Sequence, residues 1–507
     1  MSLRQSLLAL QEETKGQAVP FPLLEGEEAT TAVYEEYISD SPAPKIRKRD
    51  LEETSEGALY LKVTKNDSQA LVDVNQMFSS IPRRLLLSLL NNEPLELTAN
   101  IASEIAVLAF LCKTTKEVED LSPKIATSQD VCDLCFLFTQ HYISVYDGLK
   151  CDEAWLGCSR KLFEALESLQ DQLEPSLAIG ERLKNEDVGN SLMNILCGVA
   201  SLWRVPKQHR ITGNAKKDLS ELSQLVLSVF IMAIRFCPSF SHSFRSTDDF
   251  LSGRVLRALV TLGGVTSDSL LSCLGWQAVH EILLCDEAGM MEYFASTEFY
   301  PLAAPVAKQA AEIARTILNE KHLGGAVFPT CLSCIHLWAS KRAFRDIFAE
   351  VLLRPCLRFL SKSQDDFEAY MRTESSEGVV ACARTLVTLA GSCDGAPDIV
   401  GLQRLISTLI HMGPHATLCT LKNISHLLTR ASKDDPAVEQ MEDVVDELRS
   451  LLDIVAIKLV QCGMKAVEPA QQYRRDCEPQ SPGKVKAGRI EKKTGRVKGS
   501  SKKKHRK

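Results

Sequence analysis

Between residues 67 and 463 the sequence is a succession of apolar stretches, each 12 to 20 residues long and separated by short breaks. The breaks carry Gly, Pro, Asn, Asp or Ser, the residues that end helices and form turns. Aromatic residues make up only 6% of the chain, and strands prefer aromatic and β-branched residues. The pattern therefore predicts an all-α domain over residues 67–463.

One segment, STDDFLSGRVLRALVTLGG, shows both ends of a predicted helix. Ser246 can cap it, and Asp249 follows three residues later, as a capping box allows. Apolar side chains then recur at helical spacing, at Leu251, Val255, Leu259 and Leu262. We expect Gly263 and Gly264 to end this helix, because glycine readily takes the left-handed terminal conformation.

A partial echo of this segment occurs later in the chain. RALVTLGG at 257–264 and RTLVTLAG at 384–391 are identical at six of eight positions and lie 127 residues apart. Three units of about 42 residues would give that offset, within the HEAT and armadillo range. On helix periodicity and spacing, the chain resembles the armadillo/HEAT-type α-solenoid superfamily. The resemblance implies an irregular solenoid of roughly nine helix pairs, with a non-repetitive all-helical fold as the alternative.

The last apolar segment follows Pro436 and ends at Gly463. Its apolar residues alternate steps of three and four: Val438, Met441, Val445, Leu448, Leu452, Val455, Leu459 and Cys462. Such steps fit a coiled-coil seam, but further apolar residues widen the face: Val444, Leu451, Ile454 and Ile457. A wide face is typical of a helix packed into a larger core. We predict a terminal helix that closes the solenoid, with a dimer zipper as the alternative.

The two ends of the chain differ from this helical body. Residues 1–66 mix acidic stretches with a basic cluster and lack a sustained apolar period, so we expect them to be mostly disordered. Residues 464–507 form a predicted disordered basic tail. Its last part, 481–507, contains twelve Lys or Arg and one acid, although the whole chain has a formal charge of −6. An acidic body with a basic tail bears on partners rather than on fold.

Two basic clusters are candidate nuclear-targeting signals, since short Lys/Arg runs bind import receptors or attach loosely to nucleic acid. The residues are Lys45, Arg47, Lys48 and Arg49, and in the tail Lys492, Lys493, Lys502, Lys503, Lys504, Arg506 and Lys507. They predict a nuclear or nucleolar location with a cytoplasmic pool; a merely solubilising tail is the alternative. The tail has no aromatic residue for base stacking, so its attraction to nucleic acid would be sequence-independent and salt-sensitive.

Each basic cluster follows a Ser-Pro step, at Ser41 and at Ser481. The sequence Ser-Pro-Gly-Lys from Ser481 resembles the preference of proline-directed cell-cycle kinases. A phosphate would add nearly two negative charges beside the basic run and weaken it. We therefore predict Ser41 and Ser481 as phosphorylation sites.

The 17 cysteines are odd in number, and most lie in apolar runs, where free cysteine packs like a small hydrophobe. The start MSLRQSLLALQEETKG lacks a signal-peptide pattern, so we expect a reducing compartment. The longest stretch without charged residues, 322–340, contains Gly-Gly, a central Pro and two His. It predicts a turn and a buried helix rather than a membrane span, and we expect no membrane contact.

The pairs Cys132/Cys135 and Cys331/Cys334 have zinc-like internal spacing but lie 199 residues apart, too far for a zinc ribbon. Each pair falls on one face of a predicted helix, which favours core packing. An apolar setting would also leave Cys334 and the nearby His336 unreactive. His411 and His415 are four residues apart, but the Gly-Pro between them favours a loop over a metal site. Familiar catalytic motifs are missing from the sequence. We predict no catalytic residue, no metal and no cofactor.

Another basic stretch, RVPKQHRITGNAKK at 204–217, has five bases and no acid. We interpret it as a connection between helices, with a docking site for an acidic partner as the alternative.

The function best supported by these patterns is a non-catalytic nuclear scaffold. Stacked helix pairs present a long surface that can hold an extended peptide or another protein, and an acidic body favours basic partners. An importin-adaptor-like transport or assembly chaperone for basic clients is one alternative, and a helical enzyme is another. The Trp and Asn ladder of that adaptor family is missing, because the four tryptophans at 155, 203, 276 and 338 follow no regular interval.

Overall fold

The structure is a computed structural model, and it describes most of the region between residues 99 and 461. The described residues are 51–53, 59–61, isolated positions between 81 and 97, 99–117, 125–145, 153–170, 186–204, 213–237, 240–241, 244, 249–285, 289–319, 326–371, 376–391, 398–431 and 445–461. The helical body confirms the predicted all-α class. Most of the predicted segments 1–66 and 464–507 lies outside the described residues.

Sixteen helices make up the described body. The first eight are α1 Ala99–Glu117, α2 Ile125–Val145, α3 Glu153–Gln170, α4 Glu186–Trp203, α5 Asn214–Phe236, α6 Asp249–Gly263, α7 Ser269–Leu283 and α8 Met290–Ala295. The others are α9 Tyr300–Asn319, α10 Val327–Ser340, α11 Arg342–Leu360, α12 Gln364–Met371, α13 Ser376–Leu389, α14 Ile399–Met412, α15 Pro414–Ala431 and α16 Val445–Gln461.

Two short strands precede the helices. Strand β1, Leu51–Glu53, pairs antiparallel with β2, Leu59–Leu61, with Leu51 opposite Leu61. Strand β2 also contacts α1. This ribbon lies within the segment for which the sequence predicts mostly disorder.

The long helices pack in two rows. In the first row each helix contacts the next member of the series α1, α3, α5, α7, α10, α13 and α16. In the second row the series is α2, α4, α6, α9 and α11, and α11 contacts both α14 and α15. Contacts between the rows join α2 to α3, α4 to α5, α6 to α7, α9 to α10, and α11 to α13. One apolar core therefore runs between the rows along the body.

Hydrogen bonds between first-row neighbours reveal the length of the repeating step. Arg160 on α3 binds Asp218 on α5, 58 residues later, and the Cys334 thiol on α10 donates to the Trp276 carbonyl on α7, again 58 residues away. The step is thus longer than the predicted 42 residues. The two echoed segments are also not equivalent, because 257–264 includes the end of second-row α6 whereas 384–391 includes the end of first-row α13.

Helix α6 begins at Asp249 and ends at Gly263, close to the predicted bounds; Ser246 lies outside the described residues. The expected reason for its ending is wrong, since the described glycines with positive φ are Gly213, Gly289, Gly391 and Gly413. The physical reason for Gly263 and Gly264 is close packing instead. A Cβ at Gly263 would lie 3.0 Å from the Trp276 ring, and one at Gly264 would lie 2.8 Å from Ile313.

Helix α5 is long and apolar enough to cross a membrane by length and composition, and among the described residues one such helix was found. It packs against α3, α4 and α7, and 61% of its apolar window is buried. Its apolar face is thus used by the core. The helix predicted within 322–340 is α10, whose Trp338 is fully buried.

The predicted terminal helix is present as α16, and it packs against its own chain. It contacts α13, α14 and α15. Leu448, Leu452 and Val455 of the predicted seam are at most 2% exposed within the single chain. A seam that the chain already covers is not open to a second copy.

Candidate protein-interaction surface

The outward side of α5, α7, α10 and α13 carries side chains that are only half exposed. Each of these helices has first-row neighbours on both flanks and the second row behind it, so one narrow strip per helix reaches the surface. On α7 the strip includes Gln277 and His280, on α10 it includes Ser333 and His336, and on α13 it includes Arg384. We call these five residues the first-row strip.

Cross-helix contacts hold the strip together. The Thr388 hydroxyl on α13 lies 2.6 Å from His336 Nδ1 on α10, and Thr330 Oγ1 lies 3.8 Å from the Cys273 sulfur. The Thr385 hydroxyl on α13 lies 2.8 Å from the Ala381 carbonyl of its own helix and 3.2 Å from the Leu332 carbonyl of α10. Because neighbouring helices are bonded at several levels, the helices that carry the strip are fixed relative to one another.

Two polar side chains in the middle of the strip are not used by the fold. Gln277 and Ser333 occupy adjacent helices at about the same level, since the neighbouring residues Trp276 and Cys334 are bonded to each other. In the described part of the chain neither Gln277 nor Ser333 has a hydrogen-bond partner. They are available to a peptide backbone, which offers both donors and acceptors.

Charged groups surround His280 at one end of the strip. Arg235 on α5 binds Glu281 with 2.5 Å between Nη2 and Oε1. The pKa of His280 is lowered mainly by burial; Glu281 opposes this change, and Arg235 and Arg384 reinforce it. His280 is therefore neutral at pH 7 and presents one donor and one acceptor.

A cluster of carboxylates lies on α3, on α5 and at the N-terminal end of α7. Arg160 on α3 forms ion pairs with Glu164, Asp218 and Glu221. Burial alone would lower the pKa of Arg160, but these three carboxylates raise it. Asp268, the N-cap of α7, adds a further carboxylate beside Gln224 of α5. We call Glu164, Asp218, Glu221 and Asp268 the acidic patch.

The acidic patch keeps a negative excess. Lys217 pairs with Glu221 at 3.6 Å, so with Arg160 two cations accompany four carboxylates. The stretch predicted as a connection at 204–217 is partly helical, because Lys216 and Lys217 belong to the first turn of α5. Residues 205–212 lie outside the described residues.

The cysteine pairs are core residues, as predicted. Cys132, Cys135, Cys331 and Cys334 are all 0% exposed. Burial raises the pKa values of the Cys135, Cys331 and Cys334 thiols, which keeps them protonated and unreactive. Within the described ranges no cluster of three or more metal-binding side chains occurs.

Two other sequence candidates are also placed by the structure. His411 and His415 are exposed and separated by the boundary between α14 and α15, where Gly413 alone forms the break. The four tryptophans form no ladder on the first-row strip. Trp276 and Trp338 are fully buried, and Trp203 donates to the Ser223 hydroxyl at 2.9 Å.

The predicted targeting and phosphorylation residues lie outside the described residues. These are Ser41, Lys45, Arg47, Lys48, Arg49, Ser481, Lys492, Lys493, Lys502, Lys503, Lys504, Arg506 and Lys507. Their roles remain predictions.

Sequence reasoning did not find the first-row strip or the acidic patch. Gln277, Ser333 and Arg384 are single polar residues within apolar helices, and such residues are common. Their helical spacing inside α7 and α10 is visible in the sequence, but the 58-residue step that aligns one helix with the next is not.

Comparisons with known proteins identify no family. No protein-family model matches the chain, and no curated protein matches it. A crystal structure of an engineered protein aligns with 79% of this chain and 98% of its own length, at 12% identity and a TM-score of 0.25. A likeness of that size carries no argument about fold or function.

Proposed function

We propose that this chain is a non-catalytic nuclear scaffold that binds a protein partner along its first row of helices. In this proposal the two rows are the layers of an irregular α-solenoid of the armadillo/HEAT type. The observation that carries it is the pair of half-buried, unpartnered side chains at Gln277 and Ser333 on adjacent helices. Such groups bind water in the free protein, and a bound main chain supports the proposal because it offers donors and acceptors that replace that water.

The acidic patch defines the chemistry of the partner. An extended segment lying across α3, α5, α7 and α10 would meet four carboxylates at one end and neutral polar groups in the middle. A Lys or Arg near one end of the guest would compensate the negative excess around Asp218 and Glu221. The proposed partner is thus a basic, peptide-like segment of another protein.

The basic tail has a separate role in this proposal. Residues 481–507 and the cluster at Lys45–Arg49 bind an import receptor and bring the scaffold to the nucleus or nucleolus, with weak nucleic-acid contact through the tail. Phosphorylation of Ser41 or Ser481 would reduce that binding by adding negative charge next to the basic runs.

The direct test is proximity labelling in cells with three forms of the chain: wild type, a variant lacking 481–507, and Ser333→Arg. The arginine would fill the surface above Gln277 with a long charged side chain. Deletion of the tail is expected to shift the protein out of the nucleus. Ser333→Arg is expected to leave its location unchanged and to remove a specific set of labelled partners.

The control is Gln403→Arg, an exposed position on second-row α14. It should label the same partners as wild type. If Ser333→Arg and Gln403→Arg give the same partners as wild type, the first-row surface is not the binding site. If the tail deletion stays nuclear, the targeting role of the tail is wrong.

A further inference from the structure

The second row carries exposed cations on four consecutive helices. Arg204 follows the end of α4, Arg257 lies on α6, Lys308 on α9, and Arg354 and Arg358 on the second half of α11. We call these five residues the basic stripe. Helices α4, α6, α9 and α11 pack in that order, so the stripe crosses three helix-to-helix steps.

The basic stripe differs from the first row in how its charges are paired. On the first row, Arg160 and Arg235 each form an ion pair with a carboxylate. Among the described residues, no carboxylate pairs with any member of the basic stripe. A row of cations that the fold leaves uncompensated is the electrostatic footprint of an anionic partner.

Part of the stripe is held in place by hydrogen bonds. Arg204 Nη2 donates to Thr261 Oγ1 on α6, and Gln309 Nε2 on α9 donates to the same oxygen at 3.3 Å. Thr261 in turn donates to the Arg257 carbonyl at 2.7 Å. These bonds join α4, α6 and α9 and fix Arg204, whose pKa is lowered by burial and by the neighbouring Arg257.

The described acidic residues near the stripe form no ion pair with its five cations. Glu312 on α9 pairs with Arg315, and Asp346 on α11 pairs with Arg404 at 3.0 Å. Glu350 is exposed in the middle of α11. Glu350 lies four residues before Arg354, and Glu312 lies four residues after Lys308, so each acid shares a helix face with a stripe cation without forming an ion pair with it.

The four helices of the stripe carry no exposed large hydrophobic residue among the described positions, whereas α14, which packs against α11, carries three. The exposed large hydrophobic residues in the described part of the chain belong to α5, α7, α14 and α16 or their ends: Phe236, Leu270, Leu284, Ile399, Val400, Ile410 and Ile457. Protein interfaces depend on buried apolar and aromatic hot spots. Four helices with exposed cations and no such anchors of their own fit a polyanion better than an acidic protein.

We propose that the basic stripe binds the phosphodiester backbone of a double-stranded nucleic acid without reading its sequence. Neighbouring helices lie about 8–10 Å apart, so three steps extend over roughly 25–30 Å. Duplex DNA carries one charge per about 1.7 Å of its axis, and the stripe therefore faces many phosphates. This site is made of residues of the folded body, includes no residue of the basic tail, and lies on a different row from the proposed peptide surface.

The test measures binding of the full-length chain to a fluorescein-labelled 24-base-pair DNA duplex by anisotropy, over a series of salt concentrations. The stripe variant is Arg257→Gln/Lys308→Gln/Arg358→Gln. The matched control is Lys216→Gln/Lys217→Gln/Lys458→Gln, which removes three exposed cations from first-row helices. The tail is present in all three proteins, so differences between them report the body alone.

The stripe variant is expected to bind at least tenfold more weakly at 0.1 M salt. The slope of log K against log salt should fall by about 2 to 3, since each lost phosphate contact removes about 0.9. The control should remain within twofold of wild type, and thermal melts of all three proteins should coincide. Equal weakening in both variants would overturn the proposal, because it would show a general effect of net charge.

Poly-glutamate of similar length separates the two kinds of polyanion. The nucleic-acid proposal expects the stripe variant to lose duplex binding more strongly than poly-glutamate binding. If it loses poly-glutamate binding while duplex binding is unchanged, the stripe serves an acidic protein and the proposal is wrong.

Discussion

Gly275 on α7 lies directly against the backbone of Gly263 at the end of α6. A Cβ added at Gly275 would be 2.4 Å from the Gly263 nitrogen and 2.8 Å from its Cα. The Ser272 hydroxyl, one turn earlier on α7, donates to the Gly263 carbonyl at 2.5 Å. The two rows thus meet here at backbone-to-backbone distance, and Trp276 fills the space beside the contact.

Gly275→Ala is expected to destabilise the protein by about 1–3 kcal/mol or more, because backbone atoms cannot move aside as a flexible side chain can. Chemical denaturation monitored by circular dichroism measures the change. The matched control is Gly157→Ala on α3, where the nearest atom to a new Cβ is Asp218 Oδ2 at 3.5 Å. Alanine there should be neutral or stabilise by about 0.5–1 kcal/mol through helix propensity. Equal effects at the two sites would contradict the close contact.

A second close approach explains why the echo in the sequence is local. A Cβ at Gly401 on α14 would lie 2.6 Å from the Ala390 carbonyl oxygen that follows α13. Thus VTLGG, at the end of second-row α6, and VTLAG, at the end of first-row α13, each precede a tight connection to the next helix. The shared letters mark a close approach to the next helix in both places, but the turns differ, because Gly391 has a φ of 82° and Gly264 does not have a positive φ.

Asn423→Ala is expected to cost about 1–3 kcal/mol. The Asn423 amide is buried on α15 and donates to the Leu360 carbonyl at 2.8 Å and the Lys362 carbonyl at 3.0 Å, at the end of α11. Removing the donor leaves two helix-end carbonyls unpaired in the interior. Thermal denaturation measures the loss, and Gln403→Ala at an exposed position of α14 is the control. A loss no larger than that of the control would show that water replaces the amide.

Single-segment patterns predicted a good part of this fold. The bounds of α6, the buried seam of α16 and the buried pairs Cys132/Cys135 and Cys331/Cys334 follow from periodicity within one helix, which depends on local sequence. The prediction that Ile457 widens the buried face of α16 is wrong, because its side chain is 51% exposed. The pairing of Arg160 with Asp218 does not follow from periodicity, because the distance between successive helices of a row is set by packing and by variable connections. The first-row strip and the basic stripe were missed for that reason, since their members lie on separate helices.

Stability is expected to fall as the pH rises above about 9. The pKa values of Cys112, Cys135, Cys331 and Cys382 are raised mainly by burial, and that of Cys197 is raised to about 11. Above the ordinary thiol pKa of about 8.5 the unfolded chain releases these protons while the folded chain keeps them. The folded state then binds more protons, so the free energy of unfolding decreases with pH.

Denaturant midpoints between pH 7 and 10.5 measure this decrease, and Cys331→Ala should make it shallower. Thiol labelling of the folded protein at pH 8 provides an independent reading. Among the described cysteines, the half-exposed Cys273, Cys285 and Cys419 should react first, and the buried ones only on unfolding. Rapid labelling of Cys331 in the folded state would contradict the burial argument.

The terminal helix gives a prediction that separates a closing helix from a dimer seam. Leu452→Ala on α16 is expected to cost about 2–5 kcal/mol, the usual loss for a buried leucine, because Leu452 is 2% exposed in the single chain. Ile457→Ala, at a side chain that is 51% exposed on the same helix, should change stability by no more than about 0.5 kcal/mol. Both variants should have the wild-type molar mass in sedimentation equilibrium. A zipper would instead require Leu452→Ala to lower the molar mass while the midpoint of unfolding stays unchanged. Because α16 contacts α13, α14 and α15 of its own chain, we expect a lower midpoint of unfolding at an unchanged molar mass.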